Sequence, residues 1–372
     1  MYYHLILTDE CNLCCTYCRG KLFSIEMPET TGTPVDDDLP VDLAIDLEQL
    51  YDFLRKDQDA AVTFYGGEPL LRLDLIREIV RHAPVASFLL HTNGLLLDRV
   101  EPELAGRFET ILASIDGPPA ITDANRGEGV FARVTGNLRR LVENGFSGEA
   151  VARMTVTEET DIDTAVRYLA DNEYFSFSSI HWQIDANFWN DYHLRDFSTW
   201  AETNYNPGVQ SLVKRWVGVM RDEGRVMRWY PFLDTMQDLL LDRPSPLRCG
   251  CGHGNYSIMT DGSIAPCPIM VGMREHYLGH IATADPATLG KVPVTGACTD
   301  CSIRDFCGGR CLYSNITRPW PKEGRDAVCG TVQNLHDALT GALPEVRRLI
   351  RAGHITLSDF DHKKFNSCEI IP

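Results

Sequence analysis

The sequence lacks the excess of basic residues that proteins binding nucleic acids or anionic membranes need. It has 372 residues with 35 Lys and Arg against 52 Asp and Glu, so its net charge at pH 7 is −17. Broad binding to such polyanions requires a basic face. We therefore expect neither nucleic acid nor membrane among its partners.

Long apolar runs and a secretory signal are also missing. The apolar runs, such as residues 216–220, are far shorter than the roughly 20 residues that span a bilayer. The first residues carry no cationic segment, and an acidic pair with a cysteine follows at 9–11. We expect a cytoplasmic protein, in which thiols stay reduced. Its 13 cysteines therefore favour metal binding over disulfides.

The first half of the chain alternates between strand and helix patterns. Short apolar segments predict six strands, at 4–8, 61–65, 87–91, 110–115, 152–156 and 179–184. Helical spacing of apolar residues appears between them, at 43–54, 70–82, 134–145 and 163–169. Repeated β-then-α units imply a parallel sheet covered by helices. The sequence thus predicts an α/β fold, a partial (β/α)6 barrel like an incomplete TIM barrel.

The rest of the chain changes character twice. A segment rich in aromatic residues predicts a helix over 199–223 with Ser198 as its N-cap. A segment rich in Cys, Gly and Pro follows, and bound metal would supply the stability that its small apolar content cannot. We divide the chain into a partial barrel at 1–185, a helical bridging segment at 186–246, a small cysteine-rich domain at 247–330, and a C-terminal helix and tail at 331–372.

Three cysteines form a C-x3-C-x2-C motif directly after the first predicted strand, namely Cys11, Cys15 and Cys18. Three thiolates from one short loop can hold three corners of a 4Fe–4S cluster, whose usual complement is four cysteines. The fourth iron is then open to a small ligand, as in an open catalytic metal site. The alternative is a zinc loop, but Cys14 is badly placed to be its fourth ligand.

Glycine and polar residues follow the next predicted strands, in the segments YGGEP, HTNG and SIDGP and in the loop beyond. The set comprises Gly66, Gly67, Glu68, Asn93, Ser114 and Arg126. Paired glycines let a backbone approach a ligand closely, and an arginine can pair with a carboxylate. Each motif alone usually forms a turn. All of them lie at the carboxyl edge of one predicted sheet, where the active sites of such barrels occur.

Three features resemble the radical SAM superfamily: the cysteine loop with Tyr17 before its last cysteine, the GGEP segment and the SIDGP segment. The resemblance covers about residues 4–185. The resemblance implies a 4Fe–4S cluster whose open iron chelates the amino and carboxylate groups of S-adenosylmethionine. One-electron reduction then gives methionine and a 5′-deoxyadenosyl radical, which abstracts a hydrogen atom from substrate. The protein orients these groups and excludes water.

The resemblance also implies what each residue does. The three loop cysteines would be catalytic cluster ligands, supplied with an electron by a low-potential donor such as ferredoxin or flavodoxin, and an open iron implies oxygen sensitivity. The methionine amino group would contact Gly66, Gly67 and Glu68, and the methionine carboxylate would contact Arg126. The ribose would lie near Asn93 and Ser114, and the adenine would lie near the backbone at Tyr17.

A second cysteine set, between residues 249 and 329, has a spacing that resembles the SPASM domain, a two-cluster extension of many peptide-modifying radical SAM enzymes. The resemblance implies two auxiliary 4Fe–4S clusters, and so three in all. Cluster I would be held by Cys249, Cys251, Cys267 and Cys311, and cluster II by Cys298, Cys301, Cys307 and Cys329.

Two alternatives for this second set stay open. Without Cys249, whose C-x-C spacing is tight, cluster I would have an open iron able to bind substrate. The segment could also be a structural zinc ribbon, since C-x2-C pairs suit zinc. The remaining cysteines are Cys14, a passive loop residue, and Cys368, in a tail that is either disordered or closes over the active site.

The resemblance predicts an oxidoreductase that modifies a peptide or protein, by crosslinking, oxidation or epimerisation. Only ten residues precede Cys11, so we expect recognition by the barrel mouth, by the bridging segment or by a separate leader-peptide-recognition protein. Sulfatase-maturating relatives carry a catalytic Asp where this chain has Pro268, which cannot act as a base. We therefore disfavour formylglycine formation.

Asp185, at the end of the sixth predicted strand, is the candidate catalytic side chain, with ordinary hydrogen bonding as the alternative. Two other functions remain: a radical SAM enzyme that modifies tetrapyrrole side chains, and a non-catalytic iron–sulfur protein that transfers electrons. The GGEP, SIDGP and Arg126 set argues against the second, because an electron carrier has no need of a nucleoside pocket.

Overall fold

The computed structural model describes residues 1–18, 35, 36, 38–364, 371 and 372. The expectation for Cys368 lies outside the described residues, and of the tail beyond it the structure describes Ile371, which is buried, and Pro372. No helix in this part of the chain combines the length and hydropathy that crossing a membrane requires.

A single sheet runs through the described residues. Its strands are β1 (Tyr2–Ile6), β2 (Ala61–Tyr65), β3 (Ser87–Thr92), β4 (Phe108–Ser114), β5 (Glu149–Val156), β6 (Ser179–Ile184), β7 (Arg228–Trp229), β8 (Asn255–Ile258) and β9 (Ile264–Ala265). The order across the sheet is β7-β6-β5-β4-β3-β2-β1-β8-β9. Only β9 runs antiparallel to its neighbour. The predicted α/β fold with a parallel sheet is confirmed.

Helices connect and cover these strands. They are α1 (Leu47–Arg55), α2 (Leu73–His82), α3 (Pro102–Ala105), α4 (Pro119–Arg126), α5 (Val130–Glu143), α6 (Ile162–Ala170), α7 (Phe197–Trp200), α8 (Asn206–Glu223), α9 (Tyr230–Leu241), α10 (Arg304–Cys307), α11 (Leu312–Thr317) and α12 (Lys322–Arg351).

Local sequence explains where the crossover helices begin and how they pack. The Asp46 side chain caps α1 by accepting a hydrogen bond from the Glu48 backbone N–H. The same helix buries Leu50 and Phe53 completely against the sheet. Burying such a side chain stabilises the fold by about 1.5–3 kcal/mol. These apolar contacts hold the sheet rigid and leave its carboxyl edge to loops.

The helix predicted at 199–223 differs from prediction at its start. The first helical segment begins at Phe197, so Ser198 lies inside it and is not the N-cap, and its hydroxyl lies 3.0 Å from that of Tyr192. A π-helical turn at Ala201–Tyr205 then joins α7 to α8. Pro207 follows that turn, and its missing N–H cannot take part in the helical hydrogen-bond ladder.

The cysteine-rich segment is part of the barrel sheet, which the sequence did not predict. Strand β8 pairs in parallel with β1, so that Tyr2 lies opposite Asn255. Helix α12 begins at Lys322, nine residues before the predicted start at 331, and therefore carries Cys329. Gly324 and Gly330 weaken the helical pattern there, because glycine is a poor helix former.

Candidate active site

A cavity opens at the carboxyl ends of the central strands, beside the C-x3-C-x2-C loop. It brings together nearly all of the residues predicted to hold the first cluster and S-adenosylmethionine. These lining residues are Cys11, Cys15, Tyr17, Cys18, Gly66, Gly67, Asn93, Ser114 and Arg126. The predicted residue that does not line this cavity is Glu68.

Backbone-to-backbone packing holds the glycine pair against the start of the cysteine loop. The Gly67 N–H donates to the Thr8 carbonyl at 2.7 Å, and the Glu68 N–H donates to that of Glu10 at 2.8 Å. A Cβ atom added at Gly66 would lie 2.3 Å from the Thr8 oxygen, and one at Gly67 would lie 2.2 Å from the Glu10 oxygen. Only glycine fits such close contacts.

The Glu68 carboxylate joins the ends of two strands. It is fully buried. It accepts hydrogen bonds from the Leu70 N–H at 3.0 Å, the Thr92 hydroxyl at 2.8 Å and the Asn93 N–H at 2.7 Å. Burial raises the pKa of Glu68 to about 7, and these hydrogen bonds oppose the rise. The side chain therefore lies in the cavity wall, whereas the glycine backbone lines the cavity itself.

Asp116 is the residue whose importance sequence analysis missed. Its fully buried carboxylate accepts from the Tyr17 hydroxyl at 2.6 Å, from Arg126 Nε and Nη2 at 3.0 and 2.8 Å, and from the Thr155 N–H at 2.9 Å. These partners lie on the cysteine loop, on α4 and on β5. The Asp-Gly pair in SIDGP is typical of an exposed turn, so the sequence offered no reason to expect a buried carboxylate at Asp116.

Two arginines line the cavity in different ways. Arg126 makes a bidentate ion pair with Asp116, and its guanidinium lies 5.4 Å from the centre of the Tyr17 ring. Arg153 lies on β5 directly beside Ser114 on β4, and its Nη2 donates to the Gln183 side chain at 2.6 Å. The sequence pointed to Arg126 as the carboxylate-binding cation, but the structure commits Arg126 to Asp116 and brings Arg153 next to Ser114.

A second cavity lies between the first one and the cysteine-rich segment. Its thiols are the four predicted for auxiliary cluster I, namely Cys249, Cys251, Cys267 and Cys311. Cys249 does lie beside its predicted partners, since hydrogen bonding within the set lowers the pKa of Cys249 and raises that of Cys251. The wall common to both cavities is formed by Tyr65, His91, Arg153 and Gln183.

This shared wall is polar, and burial keeps its histidine, His91, and the neighbouring His4 of the second cavity uncharged at neutral pH. Burial lowers the pKa of His91 well below its usual value and that of His4 to about 4, and the Arg153 charge acts in the same direction. Burial raises the pKa of Tyr65 to about 12. The rings of His4, Tyr65 and His91 follow one another, with centroids 5.2 and 4.9 Å apart. At neutral pH these rings can donate or accept hydrogen bonds without carrying charge.

The remaining predicted cysteines also lie near one another. Burial raises the pKa of Cys307 to about 11, and the nearby Cys329 and Cys298 contribute to the rise. Charge on Cys301 likewise acts on Cys298 and Cys329. In the described part of the chain, no three His, Cys, Asp or Glu side chains are arranged to hold a single metal ion. Cys14 is exposed.

Asp185 lines a third cavity together with Tyr17, Cys18 and Gln183. Burial raises its pKa to about 6, and the guanidinium of Arg195, 3.3 Å away, opposes this rise. Arg195 in turn makes a two-pronged ion pair with Glu158 at 2.7 Å. A carboxyl group with such a pKa can accept a proton near neutral pH.

Comparison with known proteins finds a family match for the segment that forms most of the first cavity. Residues 5–169 match the model of the Radical SAM superfamily. The chain thus contains a radical SAM domain, which implies a 4Fe–4S cluster and S-adenosylmethionine.

Solved structures share the fold over most of the chain. Native anSMEcpe with bound AdoMet matches with a TM-score of 0.66 and 18% identity over 95% of this chain and 99% of that one. Streptococcus suis SuiB bound to precursor peptide SuiA matches with a TM-score of 0.52 and 12% identity over 84% of this chain and 72% of that one. At these identities the likeness shows the fold alone.

Two proteins with similar sequences are named GTP 3′,8-cyclase. The GTP 3′,8-cyclase of Alkaliphilus metalliredigens (strain QYMF) is 25% identical over 306 residues, which are 79% of this chain and 88% of that protein. The GTP 3′,8-cyclase of Heliobacterium modesticaldum (strain ATCC 51547 / Ice1) is 33% identical over 119 residues, 31% of this chain and 34% of that protein.

The Asp116→Asn variant tests the junction of loop, helix and strand. It leaves the buried Arg126 without its counter-charge, and breaking a buried pair costs about 3–5 kcal/mol of unfolding free energy. Anaerobic urea unfolding measures the loss. The control is Asp98→Asn, because Asp98 pairs with Arg133 at the surface, at 3.5 Å, and exposed pairs contribute at most about 1 kcal/mol. Equal losses in both variants would contradict the role of Asp116.

Proposed function

We propose that this protein is a radical SAM enzyme that cleaves S-adenosylmethionine reductively and abstracts a hydrogen atom from a peptide or protein substrate. The modification would be a crosslink, an oxidation or an epimerisation. The observation that carries the proposal is the wall shared by the two cysteine-lined cavities, formed by Tyr65, His91, Arg153 and Gln183. A substrate side chain held there would face the radical on one side and an electron acceptor on the other.

Known structures of this fold support a peptide substrate. Native anSMEcpe has been solved with bound AdoMet and a Cp18Cys peptide, and SuiB with its precursor peptide SuiA. An electron from a low-potential donor such as ferredoxin or flavodoxin would start the reaction, and a separate leader-peptide-recognition protein would present the substrate.

The first cavity fits the reactive cofactors. Cys11, Cys15 and Cys18 would hold three irons of the cluster, which supplies the electron when bound. The glycine cradle would offer backbone carbonyls to the methionine amino group, and Asn93 would contact the ribose. The tight backbone contacts at Gly66 and Gly67 support this fit, because any side chain there would displace the cysteine loop.

Arg153 is a better partner than Arg126 for the methionine carboxylate. It lies in register with Ser114 on the neighbouring strand, and both residues line the first cavity. Two adjacent donors on rigid strands can hold a carboxylate in one orientation. Arg126 would then act through Asp116, by fixing the Tyr17 backbone near the adenine.

The second cysteine set, between residues 249 and 329, would hold the two auxiliary 4Fe–4S clusters. Zinc draws all of its ligands to within about 2.3 Å of one ion. A cluster of four irons instead spreads its four thiolates over the corners of a cube. The eight cysteines between residues 249 and 329 supply two such sets of four, and this number and spacing support iron–sulfur clusters over a zinc ribbon. With Cys249 beside Cys251 and Cys267, cluster I would have a full set of thiolates.

Asp185 would be the catalytic base. It lies at the end of β6 in a cavity that also touches Tyr17 and Cys18. Once hydrogen abstraction and one-electron oxidation have made a substrate proton acidic, a carboxylate there can accept it. Arg195 would hold the carboxylate in place.

Cyclisation of GTP is a second candidate, and the 25% identity with the Alkaliphilus metalliredigens protein favours it. A triphosphate carries several negative charges and is usually bound by several cations. The arginines among the described residues that line the two cavities are Arg126 and Arg153. Asp116 neutralises Arg126, and His4 and His91 are uncharged. The charge distribution therefore favours a peptide.

Formation of 5′-deoxyadenosine tests the proposed reaction. After anaerobic reconstitution we expect about 12 iron per chain, four for each 4Fe–4S cluster, and deoxyadenosine on addition of dithionite and S-adenosylmethionine. Cys15→Ala should lose the product and keep about 8 iron. Cys14→Ala, at an exposed thiol, is the matched control and should keep both. Product formation by Cys15→Ala would refute the proposal, and a product derived from added GTP would replace the peptide substrate with a nucleotide.

Binding of S-adenosylmethionine distinguishes the two arginines. Loss of a charged hydrogen bond costs about 1.5–3 kcal/mol, so Arg153→Gln should raise the Kd for S-adenosylmethionine roughly ten- to a hundred-fold. Equilibrium dialysis of the reconstituted protein measures this. Arg126→Gln should act mainly by lowering stability. Unchanged affinity in Arg153→Gln would remove Arg153 from the binding site.

The titration of Asp185 can be observed directly. Its raised pKa, about 6, means that the base becomes ready to accept a proton as the pH rises from 5 to 7. Infrared difference spectra between these pH values should show a carboxyl signal with a midpoint near pH 6 that disappears in Asp185→Asn. The signal of Glu68, whose pKa is about 7, should remain in that variant. Arg195→Gln should move the midpoint of the Asp185 signal to higher pH, because the charge that opposes protonation is removed. A signal with a midpoint near pH 6 that is unaffected by Asp185→Asn would belong to another group.

A further inference from the structure

The turn between two of the cysteines has an unusual backbone. Gly308, Gly309 and Arg310 all have positive φ, at 67°, 101° and 55°. Glycine adopts this left-handed conformation without steric cost, whereas a residue with a Cβ atom does not. Glycine at position 310 would therefore suit the turn better. The arginine side chain must contribute something that compensates for this strain.

The Arg310 guanidinium is buried and has neutral neighbours. The residue is 7% exposed. Its Nη1 and Nη2 lie 3.4 and 3.3 Å from the carbonyl oxygens of Ala186 and Ile184, and its charge lies 5.9 Å from the centre of the Phe188 ring. Its Nε finds no hydrogen-bond partner within the described residues. Nor does a carboxylate of these residues form an ion pair with it.

A buried cation without an anion is strongly disfavoured. The groups nearby that become anionic are thiols. Arg310 lies in the turn between Cys307 and Cys311, which are proposed ligands of cluster II and cluster I. Its guanidinium lies over the Phe188 ring, and that ring packs in the same apolar group as Cys311. The charge is therefore close to thiols of both proposed auxiliary clusters.

We propose that Arg310 is the buried counter-charge of the auxiliary clusters and raises their reduction potentials. The inference rests on the auxiliary clusters of the proposed function. A cluster that takes up one electron gains one negative charge and loses no ligand. A fixed positive charge in a buried site stabilises this reduced form more than the oxidised one. The effect is followed at cluster I, because Phe188, which lies against the guanidinium, packs in the same apolar group as the buried thiols Cys251, Cys267 and Cys311.

Arg310 is thus a positioning and tuning residue rather than a catalytic one. Its two hydrogen bonds go to the carbonyls on either side of Asp185, at the end of β6. One side chain therefore links the ligand loop of the clusters to the strand that carries the proposed base.

An anaerobic redox titration with dithionite, followed by electron paramagnetic resonance, tests the proposal. The variants are Arg310→Met and Arg310→Gln, which remove the charge, and Arg310→Lys, which keeps it. At the wild-type midpoint of cluster I, we expect the reduced-to-oxidised ratio to fall about tenfold in the first two, which is about 59 mV for one electron. Arg310→Lys should restore most of the difference.

The matched control is Arg304→Met. Arg304 also acts on a cluster cysteine, Cys298, but its side chain is exposed and water screens its charge. The potentials in this variant should not change. Arg310→Gln keeps polar contacts to the carbonyls, so it is titrated in place of Arg310→Met if the latter assembles no auxiliary clusters.

Iron and sulfide analysis of each protein separates the two ways of failing. About 4 iron in the wild type would refute the auxiliary clusters themselves. Full iron content with unchanged potentials in Arg310→Gln would refute the role of Arg310 and leave the clusters standing. An equal fall in Arg304→Met would overturn the proposal, because an exposed charge would then have the same effect as the buried one.

Discussion

The contact between the Asp116 carboxylate and its partners from loop, helix and strand positions the rest of the site. A loop that carries cluster ligands has little apolar surface of its own, so polar contacts must fix it. Asp116 provides them through the Tyr17 hydroxyl, the Arg126 guanidinium and the Thr155 N–H. Because it is buried, water cannot compete for these bonds, and the pair is stronger than it would be at the surface.

The glycine pair completes this arrangement from the other side. Gly66 and Gly67 press the end of β2 against the backbone of Thr8 and Glu10. The cysteine loop is therefore held between the ends of two strands. The buried Asp116 follows β4, and the glycine pair, which has no side chains, follows β2. Close approach on one face and fixed charge on the other are what a site for a zwitterionic, nucleoside-bearing ligand requires.

The sequence predicted the regular parts of the fold well, since β2 and β6 lie at the predicted residues. Their apolar runs are short, dense and bounded by turn residues. Prediction was less successful where distant residues decide the outcome. The ion pair of Arg126 with Asp116 and the register of Arg153 with Ser114 exist only once the sheet has formed. Strand β8 has four residues in a segment dominated by Cys and Gly, and its pairing with β1 leaves no local signal.

That pairing also sets the order of events during synthesis. Strand β1 hydrogen-bonds to residues 255–258, about 250 positions later in the chain. Until the ribosome has produced that segment, one edge of the first strand remains open to pairing with other chains. The cysteine loop that follows β1 is made early, whereas β8, which pairs with β1, is made late. The strand that precedes the cysteine loop is therefore paired on both of its edges only after residues 255–258 have been made.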